Sequence, residues 1–285
     1  MTYVVLLAEN ETNLQSMLNI LSNWCSKWRI KINASKSKCM HFRNRRKPCS
    51  AFHFKIGELS PEYTHHYKNL GFWINEFMDN TGSTRMRYDH ANRALGVLIA
   101  KSKAAGGLPM KVFSHLFNTL VLSRMEYSAA IWAVRNFPLL NQIQHNALRF
   151  FFGLGKTAPI AALIGDSGWV PVQMQLQYTV LKFWLRACSL PPNRLVRKVF
   201  IWASEIADKG KTNWVSRTRD LLENIHIEYQ INGMLDIKEL QGAIWNALAQ
   251  HYLDKWREDV WSVGAYFFFF LVCMCMCVSV EVNSS

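Results

Sequence analysis

Tyr3-Val4-Val5-Leu6-Leu7-Ala8, then Asn10, then Leu14, Met17, Leu18, Leu21, Trp24, Cys25 and Trp28: the fold is decided in this opening stretch. The apolar run, rich in Val and Leu, reads as a buried strand. Asn10 supplies a side-chain acceptor for a helix N-terminus, and the apolar positions after it recur at spacings of three and four, which places them on one helical face. Outward from that helix, Arg29-Ile30-Lys31-Ile32 alternates like a half-buried strand, and Cys39 to Phe42 reads as another. Phe52 to Ile56, with Gly57, predicts a hairpin arm ahead of Tyr67 to Ile74. Residues 1–76 therefore read as α+β.

From about Thr84 the pattern becomes helical, with stretches at 84–105, 110–134 and 138–152 separated by Gly106-Gly107-Leu108-Pro109 and Phe137-Pro138. Further helices are predicted at 172–189, 194–208, 213–225 and 236–259, so that residues 77–260 form an all-helical region. No repeat recurs at a fixed period, which argues against a solenoid. Residues 261–285 form an apolar tail. Trp261 to Val280 carries no charge and is long enough to be a candidate transmembrane helix. Lys255 and Arg257 on its N-terminal side would leave the bulk of the chain cytoplasmic if it inserts.

The chain of 285 residues holds 33 Lys and Arg against 20 Asp and Glu, and the excess is concentrated. Between Glu11 and Glu58 there is no acidic residue, whereas Lys27, Arg29, Lys31, Lys36, Lys38, Arg43, Arg45, Arg46, Lys47 and Lys55 all fall there. Such a segment suits a polyanion, although Arg43 to Lys47 alone would serve equally as a solvated basic face or a nuclear-localisation run. The cysteines, Cys25, Cys39, Cys49, Cys188, Cys273, Cys275 and Cys277, lack the paired spacing of a disulfide framework, so no disulfide partners are expected. Met1 leads directly into the apolar run without a cationic opening, and no secretory leader is indicated. The expected location is intracellular, in nucleus or cytoplasm, or at a membrane if 261–280 inserts.

A family resemblance rests on several of these pieces in register. Val4-Val5-Leu6-Leu7-Ala8-Glu9-Asn10, the helix ending Trp24-Cys25, Lys31-Ile32-Asn33-Ala34-Ser35-Lys36-Ser37-Lys38 and His41-Phe42 resemble the segment after the Tyr-x-Asp-Asp box in LINE-type reverse transcriptases, the RNA-directed DNA polymerases of non-LTR retrotransposons. Tyr67-Lys68-Asn69-Leu70-Gly71 is similar to the primer-grip hairpin of that family. Ser123-Arg124-Met125-Glu126-Tyr127 and Gly165-Asp166-Ser167-Gly168-Trp169-Val170-Pro171 resemble its thumb and C-terminal region, less specifically. The resemblance implies a partial polymerase palm followed by a helical thumb.

It also implies roles. Lys36, in an Asn-x-x-Lys pattern from Asn33, would lie near the incoming triphosphate. Tyr67, Leu70 and Gly71 would seat the primer end. Lys38, Arg43, Arg45, Arg46 and Lys47 would contact RNA or DNA phosphates. For each an ordinary reading stands beside it: a surface lysine, a hairpin core, a solvated basic loop. Of the aromatics interleaved here, Phe42, Phe52, Phe54 and Trp73, most are expected in the core.

The departure from the family lies at the catalytic carboxylates. The family holds two Mg²⁺ ions with adjacent aspartates directly before this strand, and in register those positions are Thr2 and Tyr3. Neither a hydroxyl nor a neutral phenol supplies the charge of a carboxylate to this hard cation. The expectation is a truncated chain, without the fingers and the rest of the palm, that uses no cofactor and does not polymerise. Without those partners the Tyr3 to Ala8 run would leave an apolar edge, and Trp24 and Trp28 an uncovered helix face.

Other motifs carry little. Gly155-Lys156-Thr157 lacks the upstream glycine of a P-loop, since Phe150 stands there. Gly165-Asp166-Ser167-Gly168 has no protease context, and the Cys273, Cys275, Cys277 alternation lacks zinc-site spacing. The alternative function is a membrane-anchored basic protein using 261–280 as a tail anchor.

Overall fold

The computed structural model describes residues 4–227 and 237–262. It is mainly helical with a few short strands, and it divides into two compact units, Met1–Arg85 and Met86–Ser285.

The first unit is built on helix α1 (Glu11–Lys27). Asn10 caps it as expected, its side chain accepting from the Asn13 amide at 2.8 Å. Glu11 in the first turn and Lys27 in the last complement the helix dipole. The helix ends in a Schellman arrangement. Arg29 takes a left-handed conformation (φ 54°), its amide bonds Ser26 O, and the Ile30 amide bonds Cys25 O at 2.9 Å. A cap position that glycine usually fills is here held by arginine, so the chain leaves the helix through a turn at Trp28-Arg29 and the strand expected at Arg29 to Ile32 does not form.

Strand β1 (Lys38–Cys39) pairs in parallel with β2 (Glu62–Tyr63). The hairpin of β3 (His66–Asn69) and β4 (Phe72–Asn75) sets His66 against Asn75 and Lys68 against Trp73. Leu18, Cys39, Phe54 and Ile56 form the core, with Leu6, Leu14, Ile32 and Tyr63 packed on it.

Several strand expectations do not hold. Residues 4–8 form no strand, and Val4, Val5 and Leu7 are exposed; among the described residues nothing pairs with their backbone, and a lone strand leaves its amides to water. Cys39 to Phe42 shortens to β1, because the chain then turns to bond the Arg43 amide to Glu76 O. Phe52 to Ile56 reduces to a single bridge between Ile56 and Leu59 across Gly57, whose φ of 60° and 3.1 Å approach of a notional Cβ to Ser22 Oγ require glycine.

The second unit is helical. Helix α2 (Thr81–Ala104) contains the boundary between units and is followed by α3 (Met110–Leu116). The single helix expected at 110–134 is instead interrupted. After α3 a π-helical turn covers Phe117–Leu122, then come α4 (Ser123–Glu126) and α5 (Ala129–Trp132). Thr119 and Ser123 donate their hydroxyls to the carbonyls four residues back, which competes with regular helix bonding, and Ser128 at φ 59° breaks the path.

Helices α6 (Pro138–Phe152) and α8 (Val172–Ser189) match the sequence reading. Between them α7 (Ile160–Ser167) was not anticipated; it starts behind Pro159 and closes on Gly168. Helices α9 (Leu195–Asp208), α10 (Trp214–Asn224) and α11 (Ile237–Ser262) follow near the expected places.

The most buried helix is α8, which packs on α5, α6, α9, α10 and α11 and buries Leu181 and Trp184. Two buried glutamines fasten it reciprocally to α6. Gln144 of α6 donates to Val170 O at 2.8 Å and accepts from the Val172 amide at 3.0 Å, at the start of α8. Gln173 of α8 accepts from the Phe137 amide and donates to Arg135 O, at the start of α6. Each side chain accepts from an amide at the other helix's start and donates to a carbonyl just ahead of it.

Among the described residues no helix is long and apolar enough to cross a membrane. The candidate segment 261–280 lies outside the described residues beyond Ser262.

Candidate nucleic-acid interface

All the described residues singled out for substrate contact lie in the first unit. Asn33 builds the turn that carries Lys36: its side chain accepts from the Lys36 amide at 3.1 Å and from Ser35 Oγ at 2.8 Å. Tyr67 of β3 places its hydroxyl 3.5 Å from the Lys36 backbone carbonyl, while the Lys36 side chain stays exposed. At the hairpin tip Leu70 and Gly71 both have positive φ, 47° and 82°, the primed turn that suits strand twist. Leu70 is largely exposed. On the outward face of the same hairpin Lys68 stands opposite Trp73.

The basic loop behaves less uniformly than its sequence suggests. Arg43 is held by Glu76, with Nη2 and Nε at 2.9 and 3.1 Å from Oε2, and also donates to Lys47 O. Its side chain is 13% exposed and that of Glu76 only 9%. His65 Nδ1 lies 3.0 Å from the other Glu76 oxygen. Burial by itself would raise the Glu76 carboxyl, but the bonds from His65 and Arg43 outweigh it and hold the group below the usual carboxylate range. Arg43 is a structural cation, not a free one.

Arg45 bonds Asp79 Oδ2 at 2.9 Å, and both Arg43 and Arg45 lie over the Phe77 ring, at 5.0 and 4.9 Å from its centroid. Asp79 is depressed too: burial opposes, and contacts with Asn75, the Thr81 amide and Arg45 prevail. Lys38 pairs with Glu62 at 2.6 Å. Arg46 and Lys47, at the turn made by Asn44, are exposed and enter no ion pair among the described residues. Of the cations expected on phosphate, then, Lys38, Arg43 and Arg45 already have carboxylate partners, and among the described residues Arg46 and Lys47 do not.

Glu76 and Asp79, which pair with cations of this loop, are the residues that sequence reasoning missed. They sit 33 and 34 positions from their arginines, so no local spacing reports the pairing. Of the interleaved aromatics only Phe54 is core; Phe42, Phe52 and Trp73 are at least one-third exposed. A groove of about 640 Å³ runs between α1 and the 52–57 segment, lined by Gln15, Asn19, Asn23, His53 and Lys55 and by no carboxylate.

Thr2 and Tyr3 lie outside the described residues. Their hydroxyl and phenol do not fit Mg²⁺, which takes anionic oxygen, and among the described residues no cluster of His, Cys, Asp and Glu is arranged to hold a metal. In the second unit Trp169, from the segment resembling the family's C-terminal region, stacks on Phe113 and donates Nε1 to Ser114 Oγ at 2.7 Å, a packing role. No protein-family model, curated protein or solved structure matches the chain.

Proposed function

We propose that this chain is related to the palm and thumb of LINE-type reverse transcriptases and that it holds RNA or DNA by the phosphates without extending it. The observation that carries this reading is the exposed cationic surface of the first unit. Lys27, Arg29, Lys31, Lys36, Arg46, Lys47 and Lys55 are exposed and enter no ion pair among the described residues. Cations already matched to carboxylates add little to polyanion binding, whereas unmatched ones release counterions from the nucleic acid.

The Tyr67 hydroxyl lies 3.5 Å from the Lys36 backbone carbonyl, so the hairpin and the Asn33 turn are neighbours on this unit. Thr2 and Tyr3 carry no charge to take the place of the metal-binding aspartates. Holding is therefore separated from synthesis. Purified chain should bind labelled RNA and DNA with affinity that falls steeply as salt rises, and should incorporate no dNTP on a primed template with Mg²⁺. Templated incorporation would overturn the second half of the proposal; absence of salt-sensitive binding would overturn the first.

A further inference from the structure

Helix α1 shows solvent a surface that the core of the first unit does not use. Trp24 and Trp28 are 49% and 61% exposed, one helical turn apart. Their ring centroids are 6.5 Å apart and the planes are inclined at 48°. The charged residues next to them in sequence are of one sign. Lys27 is three residues from Trp24 on the same helix, a neighbouring position on its surface, and Arg29 and Lys31 follow directly. All are exposed, none is in an ion pair among the described residues, and the sequence has no carboxylate between Glu11 and Glu58.

We infer that Trp24 and Trp28 form a stacking platform for the bases of a single-stranded nucleic acid whose phosphates are held by Lys27, Arg29 and Lys31. An aromatic pair set among cations is the combination that binds single strands irrespective of sequence, because every base offers a π-face and every nucleotide a phosphate. With centroids 6.5 Å apart and planes inclined at 48°, the two indoles are not stacked on one another, and both are largely exposed to receive a base. A duplex conceals its base faces, so the platform favours single strands. The left-handed cap at Arg29 contributes by ending the helix there and keeping Arg29 and Lys31 beside Trp28. This inference rests on the proposed nucleic-acid function and names the form of nucleic acid that the surface takes.

The test uses the full chain with labelled oligo(dT) and oligo(U), a duplex of equal length, and vesicles containing anionic lipid. Trp24→Ala/Trp28→Ala should bind single strands at least about 5-fold more weakly for each base stack lost, with the salt slope and duplex affinity unchanged. Trp24→Phe/Trp28→Phe, which keeps ring faces and guards against misfolding, should retain most of the single-strand affinity and lose part of the tryptophan quenching that oligo(dT) produces. Equal loss on duplex and single strand, or no loss on either, overturns the platform and leaves the phosphate-holding proposal standing. Vesicle binding that depends on the two tryptophans while oligonucleotide binding does not also overturns it. Failure of the wild-type chain to bind any nucleic acid overturns both proposals together.

Discussion

Arg43→Ala and the double substitution Arg46→Ala/Lys47→Ala remove charge from the same loop, yet the structure assigns them opposite consequences. Arg46 and Lys47 are exposed and enter no ion pair among the described residues, so each is available to displace a counterion from nucleic acid. Each cation placed on a duplex phosphate contributes about 0.9 to the slope of log affinity against log salt, so losing both flattens it by about 1.8. Over a four-fold rise from about 50 to about 200 mM salt, the wild-type chain should lose roughly 12-fold more duplex affinity than the double variant. On single strands, at about 0.7 per phosphate, the difference is roughly 7-fold.

Arg43 is 13% exposed and committed to Glu76 through two nitrogens, so moving it to a phosphate would strand a buried carboxylate with only His65 beside it. Arg43→Ala should leave the slope unchanged and lower the thermal midpoint of the first unit. Fluorescence anisotropy across a salt series and circular dichroism melts of the three proteins decide the matter. An Arg43→Ala slope flattened by about 0.9, or a double variant with the wild-type slope, would refute the assignment of paired and free cations.

Other consequences can be checked separately. Glu76 and Asp79 both have carboxyls held below the ordinary range in the folded chain, so their stabilisation is complete above that range and is lost as the pH falls through it towards their folded values. Chemical denaturation at decreasing pH should show the first unit weakening with acid, and Glu76→Gln should weaken that acid dependence; an unchanged acid profile would contradict it. In the second unit, Gln144→Leu leaves the Val172 amide without its acceptor, while Val170 O keeps its bond from Gln175 Nε2 at 3.3 Å. The loss at Val172 costs about 1–3 kcal/mol, which a urea titration would register as a lower midpoint at constant slope. A midpoint equal to wild type would show that the reciprocal glutamine bonds do not hold α6 to α8.

Legibility in the sequence followed the range of the interaction. The limits of α6 and α8 could be read directly, because Pro138, Pro171 and Gly153 mark boundaries locally and the apolar period needs no distant partner. The Asn10 cap was readable for the same reason: the donor lies three residues away. The division of α3 to α5 was not, since two hydroxyl bonds to carbonyls and one left-handed serine disturb a pattern that stays helical on paper.

The candidate interface divides the same way. Sequence alone determined that residues 12–57 carry only positive charge, and the resemblance pointed to a turn at Leu70-Gly71; the short Asn33 turn under Lys36 came from the structure. Only the tertiary structure decided which of those charges are free. A side chain's charge is a property of its residue type, but its availability depends on which carboxylate folds against it. Glu76 reaches Arg43 and Asp79 reaches Arg45 across more than thirty residues. The absence of a strand at Val4 to Ala8 was decided likewise, because an apolar run is buried only where the fold supplies a neighbour to cover it, whereas the exposure of Trp24 and Trp28 agrees with the uncovered helix face expected from the sequence.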